Sequence, residues 1–260
     1  IPNHLCLSRN HCHRIPRLHP FRILPAVFLL LFLNGSNALA QLLIPATPTA
    51  GSYSQDFNSL PANGSVVWND LITIPNWYLQ KSPSSPITVY SDDGNNNTGS
   101  AYSYGTTGQP DRALGSVGSN NPASGSYAWG IQFQNTSGYV VTDFKVAYRG
   151  EQWRDGGYSP ATQKIAFCYK KSASLITALN PGNNASWSVV NALAFNAPIN
   201  TGVAAALNGN MPPNLVVLPL TTITGLSLNN NEYLMMKWDD QKYLGMNDQG
   251  MATDSIQIYW

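Results

Sequence analysis

Ile131-Gln132-Phe133-Gln134 alternates apolar and amide side chains, a period of two that reads as a strand with one buried and one wetter face. The rule recurs wherever the chain is most apolar. Phe144, Val146 and Tyr148 alternate with Lys145 and Ala147; Ile165, Phe167 and Tyr169 repeat the pattern, as do Leu234, Met236 and Trp238. Between these runs lie turn-forming clusters at Asp92–Gly99, Ser119–Gly125, Asn180–Asn184, Asn208–Pro213 and Asn229–Asn231, rich in the residues that punctuate strands. About a dozen short strands at this spacing predict an all-β fold, a two-sheet antiparallel β-sandwich of jelly-roll type. No segment carries a helical apolar stripe of ordinary length. The best candidate, Gly202–Leu207, is too short.

The first forty residues belong to a different class. From Arg9 to Arg22 every charge is positive, Ile23–Leu33 is an apolar run of 11 residues, and Ala38-Leu39-Ala40 supplies small residues before Gln41. That is the layout of a secretory signal peptide, and the run is well short of the about 20 residues that cross a bilayer. The expected organisation is therefore a basic leader and signal peptide over 1–40, a linker over 41–52 and one sandwich domain over 53–260. The expected location is extracellular, with no membrane span in the mature chain.

Losing the leader changes the available chemistry. His4, His11, His13 and His19 are the only histidines and all precede the apolar run, so residues 41–260 contain none. Cys6, His11, Cys12 and His13 offer metal-ligand types, but their spacing matches no standard zinc pattern. Cys168 is then the single remaining cysteine, so no disulfide forms within the mature chain; flanked by apolar residues, it reads as a buried, inert thiol. Four arginines leave with the leader, and the remaining ten basic and thirteen acidic residues give a net charge of −3. Nucleic acid is not the partner of such a surface. Charged residues make up 10% of the whole chain, against ~25% in ordinary domains. Asparagine, with 23 residues after position 40, takes up part of the difference.

Local motifs occur in a suggestive order: Gln55-Asp56-Phe57-Asn58-Ser59-Leu60, Trp77-Tyr78, Asp111-Arg112-Ala113-Leu114-Gly115, Gly150-Glu151-Gln152-Trp153-Arg154 and Trp238-Asp239-Asp240. Together they resemble a secreted bacterial β-sandwich domain, jelly-roll and lectin-like in style, found in multidomain extracellular proteins of environmental bacteria. The resemblance spans about residues 53–258. It implies no catalytic residues. It departs near the end, where such domains tend to read His-Gly-(apolar)-Ala-(apolar)-Asp-Asp and this chain reads Gln249-Gly250-Met251-Ala252-Thr253-Asp254-Ser255.

Chemistry narrows the remaining roles. Without histidine, a Ser-His-Asp triad, a Cys-His pair and a histidine-ligated zinc centre are all excluded from the mature chain. A carboxylate pair is the hydrolytic route left open, yet Glu151 and Glu232 are the only glutamates, and Asp239 and Asp240, being adjacent in a strand, point to opposite faces. Asp92, Asp93, Asn95 and Asn97 concentrate hard oxygen ligands that suit a structural calcium ion, although an exposed turn needs the same residues. Asp239, Asp240, Asp248 and Asp254 form a second acidic group that could converge on one edge. Glu151 and Arg154 are expected to pair beside Trp153, with Arg112 in a similar structural role. Trp77, Tyr78, Tyr102, Tyr104 and Tyr158 lie next to polar turns and are the candidate sugar-stacking rings, against the alternative that they fill the core.

The resulting expectation is a non-catalytic recognition or adhesion module for polysaccharide or cell-surface glycan. The alternatives are a self-assembling structural subunit joined through β-edges and a carboxylate-dependent glycan hydrolase. Cleavage between Ala40 and Gln41 is expected on secretion; mass spectrometry of the exported chain checks this, and a mature mass that still includes His19 or Phe21 would refute it.

Overall fold

The computed structural model describes residues 41–46, 50–119, 125–157, 163–243 and 247–260. In chain order the strands are β1 (Leu42–Ile44), β2 (Ser52–Gln55), β3 (Ser65–Val67), β4 (Trp77–Ser82), β5 (Thr88–Asp92), β6 (Ser100–Tyr104), β7 (Ala113–Val117) and β8 (Ser126–Asn135). The second half adds β9 (Lys145–Asp155), β10 (Lys164–Ser172), β11 (Ser188–Val189), β12 (Phe195–Asn196), β13 (Ala205–Ala206), β14 (Leu215–Thr222), β15 (Tyr233–Asp240) and β16 (Gly250–Tyr259). A single turn of 3-10 helix at Asn191–Leu193 is the only helix among the described residues, and none there is long and apolar enough to cross a membrane.

The strands form two sheets, as the alternating pattern predicts. The seven-stranded sheet runs β1-β8-β15-β10-β11, with β4 also on β8 and β12 on β10. The nine-stranded sheet runs β13-β9-β16-β7-β6-β5-β3, with β14 on β9 and β2 on β16. Two expectations need correction. The pairs β1/β8 and β5/β6 are parallel, so the sandwich is not wholly antiparallel. Residues 42–44, placed in the linker by the sequence reading, form β1 against Phe133–Asn135, and Ile44 is buried. The pairing buries an apolar side chain at a sheet edge, which a solvated linker does not do.

The inward faces meet around Trp238 of β15. Its indole stacks on Trp77 at 5.6 Å and receives the edges of Phe167 at 5.1 Å and Tyr148 at 5.8 Å. Tyr148 comes from the opposite sheet, so the cluster joins the layers by aromatic contact. Polar bolts supplement it. Trp129 donates its indole N–H to Thr253 across the sandwich at 2.9 Å, and the Ser116 hydroxyl donates to Asp240.

The outward faces are covered as well, which the alternation does not foretell. On the seven-stranded sheet, the side chains expected to face water hold a loop instead. Gln132 accepts the N–H of Ile176, Gln80 accepts that of Leu179 and donates to the carbonyl of Thr177, and Asp239 accepts that of Gly182, each at 2.8–2.9 Å. Lys237 donates to the carbonyl of Leu179 at 2.9 Å while its ammonium lies 4.3 Å from the centre of the Trp187 ring. Cys168, one strand away from Lys237 in register, is buried beneath the same loop, and burial pushes its thiol up to about 11.

Removing the Trp238 ring leaves a large void between the layers. Trp238→Ala is expected to cost about 3–5 kcal/mol, measured by denaturant titration with the parent alongside; a loss under about 1 kcal/mol would mean that this cluster does not join the sheets.

Candidate functional site

The outward face of the nine-stranded sheet carries most of the residues singled out from the sequence. Tyr102 and Tyr104 of β6 sit with their rings 5.1 Å apart, and Tyr104 lies nearly parallel to Trp153 of β9 at 6.0 Å. They are not exposed. Tyr102 and Tyr104 are 1% and 0% accessible, Trp153 2%, because two loops close over them. Gly94 packs so tightly that a Cβ would come within 1.9 Å of the Trp153 carbonyl, and one at Gly209 would come within 2.3 Å of the Trp153 indole nitrogen. Trp77 belongs to the central cluster and Tyr78 to the packing beneath the loop around Leu179. Four of the five predicted stacking rings are thus core, and none of these four offers a ring face to a sugar. Tyr158 lies outside the described residues.

The expected Glu151–Arg154 pair does not form. The register of β9 against β16 shifts between Gln152 and Arg154, which breaks strict alternation there, and the two side chains are taken by different partners. Glu151 shares its face with Trp153, whose indole N–H it accepts at 2.8 Å, and Arg154 donates instead to the carbonyls of Gly94 and Asn95 at 3.1 and 3.3 Å. Burial pushes the Glu151 carboxyl up to about 8. Arg112 is itself buried, donating to the hydroxyl and the carbonyl of Ser103 and to the carbonyl of Thr106.

In the acidic turn, local donors already hold the carboxylates. Asp92 accepts the N–H groups of Gly94 and Asn96, and Asp93 accepts from Asn95 and Thr107. The second acidic group does not converge. Asp239 faces the loop at Gly182, Asp240 faces Ser116 in the opposite sheet, and Asp254 accepts from Ser255. Among the described residues no group of three or more Asp, Glu, His or Cys side chains is placed to hold a metal.

What the fold does build is a polar cleft where β7 and β9 end and β16 begins. Asn97, Val117, Gly118, Ser119, Arg154, Gly156, Ala204, Asn247 and Asp248 line a space of about 220 Å³, roomy enough for several waters. Its floor rests on a buried relay of amides. Gln249 accepts from Gln152 and from the N–H of Gly156, both at 2.8 Å, and its own N–H donates to Gln163 at 2.7 Å. Gln163 in turn donates to Asp248 at 3.1 Å. Burial raises the Asp248 carboxyl to about 6, against the lowering effect of the Tyr243 N–H and Gln163. The hydroxyl of Tyr104, fully buried and without a hydrogen-bond partner among the described residues, lies beside Gly250, which pairs with the cleft residues Val117 and Arg154.

Of the predicted site residues, the cleft gathers only Asn97, from the calcium turn, and Arg154. Asp248 stood in the acidic group for a different reason. The amide relay was missed, although the sequence marks one member: Gln249 stands where the domains this chain resembles tend to have histidine.

No protein-family model matches this chain, and a search of curated proteins found no relative. Among solved structures, the K3 cleaved adhesin domain of Lys-gingipain from Porphyromonas gingivalis W83 is similar at 11% identity, with 75% of this chain and 99% of that one covered and a TM-score of 0.35. TmCBM61, solved in complex with beta-1,4-galactotriose, is similar at 9% identity over 70% of this chain and 86% of that one, with a TM-score of 0.21. Similarity this low places no site in this chain.

The raised carboxyls set a pH dependence. Glu151 near 8 and Asp248 and Asp254 near 6 lie above the ~4 of carboxyls in an unfolded chain. Between about pH 4 and pH 8 the folded state therefore binds more protons than the unfolded state, and stability falls as pH rises through that window. Melting is expected to be higher at pH 5 than at pH 8, and Glu151→Gln, which keeps an acceptor for Trp153, should flatten the decline above pH 6. Thermal scans of both chains across this range check it; a parent that gains stability from pH 5 to pH 8 would contradict the burial of these groups.

Proposed function

We propose that this domain is a secreted, non-catalytic recognition module that binds polysaccharide or cell-surface glycan in the cleft at the ends of β7 and β9. The observation that supports this reading is the lining itself. Two carboxamides, a hydroxyl, a carboxylate and a guanidinium converge on a pre-formed concavity, the mixture of donors and acceptors that a polyhydroxylated ring requires. The relay behind it fixes the floor before any ligand arrives, which lowers the entropic cost of binding. A non-catalytic role fits the lack of histidine beyond position 40. It also fits the state of Glu151, whose carboxyl is enclosed and bonded to Trp153.

Self-association is the second reading, favoured by β14. Among the described residues this strand pairs only with β9, and it exposes Val217 and Leu220. Against it, Pro219 and a register shift between Leu218 and Thr221 interrupt the strand, the devices that blunt an edge against further pairing.

A glycan array probed with the purified protein and with an Asn97→Ala, Asp248→Asn variant tests the proposal. Binding to a defined set of glycans is expected, weakened about tenfold or more in a variant that melts normally, as for the loss of one or two good hydrogen bonds. An array without signal, or binding that ignores both substitutions, would remove the cleft as the site.

A further inference from the structure

We infer that the cleft takes an acidic sugar, a hexuronate residue of a polysaccharide, with its carboxylate on the guanidinium of Arg154. The inference rests on the glycan reading above and narrows it to one ligand chemistry. Arg154 is anchored from one side only. Its Nη1 donates to the carbonyls of Gly94 and Asn95, while among the described residues Nε and Nη2 donate to no protein acceptor and no carboxylate lies within ion-pair distance. Two carbonyls on one nitrogen fix the plane of the group, and Arg154 is among the residues that line the cleft. A planar fork held in this way suits bidentate contact with a carboxylate.

The rest of the lining sets the charge and the shape of the ligand. One arginine and no lysine line the space, so a ligand meets a single cation, enough to pair with one carboxylate and too few for a dianionic phosphate group. Asp248 is the only acidic lining residue. Its Oδ1 is engaged by Gln163 and the Tyr243 N–H, and a Cβ at Gly118 would touch its Oδ2, so the carboxyl is held by its own surroundings rather than by Arg154. It is thus an acceptor for sugar hydroxyls, and Asn97 and Asn247 can donate or accept around the ring. The volume suits one ring.

Calorimetric titration of the purified protein tests this with three kinds of probe: oligogalacturonate, oligoglucuronate and oligomannuronate; their fully methyl-esterified counterparts; and neutral galactose, glucose and mannose oligomers. At least one acid form is expected to bind about tenfold or more tighter than its own ester. Arg154→Gln should erase that difference, and Arg154→Lys, which keeps the charge but loses the fork, should restore it only in part. Should Arg154→Gln also lower the melting temperature, by freeing the turn at Gly94, the acid-against-ester comparison on the parent decides alone. Equal binding of acid and ester, or an acid preference that survives in a folded Arg154→Gln variant, overturns the uronate assignment and leaves the glycan reading standing if either form binds. Neutral oligomers binding through Asn97 and Asp248 with no acid preference has the same meaning. If no probe of any kind binds, the assignment falls, and an empty glycan array would then take the broader reading with it.

Discussion

A loop pressed against a sheet buries its own N–H and C=O groups, and each must find a partner or cost the fold several kcal/mol by the usual order of magnitude. This constraint organises the outward faces of the molecule. Gln80, Gln132, Lys237 and Asp239 meet it on one sheet by bonding the backbone of residues 176–182. On the other, Arg112 and Arg154 do so for the turns that follow β5 and β6. Polar side chains on sheets that look two-faced are therefore structural pegs, and the sandwich is four layers deep where the loops lie.

The cleft follows from the same arrangement. Because Arg154 braces the turn at Gly94 and Asn95, Asn97 is carried to the mouth of the site. Gln249, bonded to both Gln152 and Gly156, fixes the end of β9 against the start of β16, and Asp248 is set in place next to it. Positioning thus comes from buried amides, which carry no charge and need no counter-ion. A histidine in place of Gln249 would offer two ring nitrogens and no carbonyl oxygen, so it could not accept from both donors in the same way.

The sheet architecture was legible in the chain because the period-two signal at Ile131–Gln134 and Leu234–Trp238 comes from the inward faces alone, and those behave as alternation demands. The covering loops were not legible. Nothing in the pattern tells a glutamine that meets water from one that meets a backbone, so Gln132 reads only as the wetter side of its strand, and Tyr102 and Tyr104, beside polar turns, read either as stacking rings or as core. The missing Glu151–Arg154 pair is a different case, since the pattern shows neither the irregularity between Gln152 and Arg154 nor the turn whose carbonyls claim the guanidinium. Asn97 and Arg154 were both noticed for roles other than lining a common cleft, because their meeting depends on a turn folding back over a strand some sixty positions away in sequence.

The hydrogen bonds from Gln80, Gln132, Lys237 and Asp239 to residues 176–182 all go to main-chain atoms and read no side chain there. Drift in that loop is therefore cheap: Thr177, Ala178, Asn180 and Pro181 can be exchanged between lineages without disturbing Gln80, Gln132, Lys237 or Asp239. The freedom stops at three positions, Ile176, Leu179 and Gly182, whose N–H groups are the ones accepted. Proline, which has no N–H, is the residue that descent should purge there, so the record of this constraint across related chains would be an exclusion and not a shared identity.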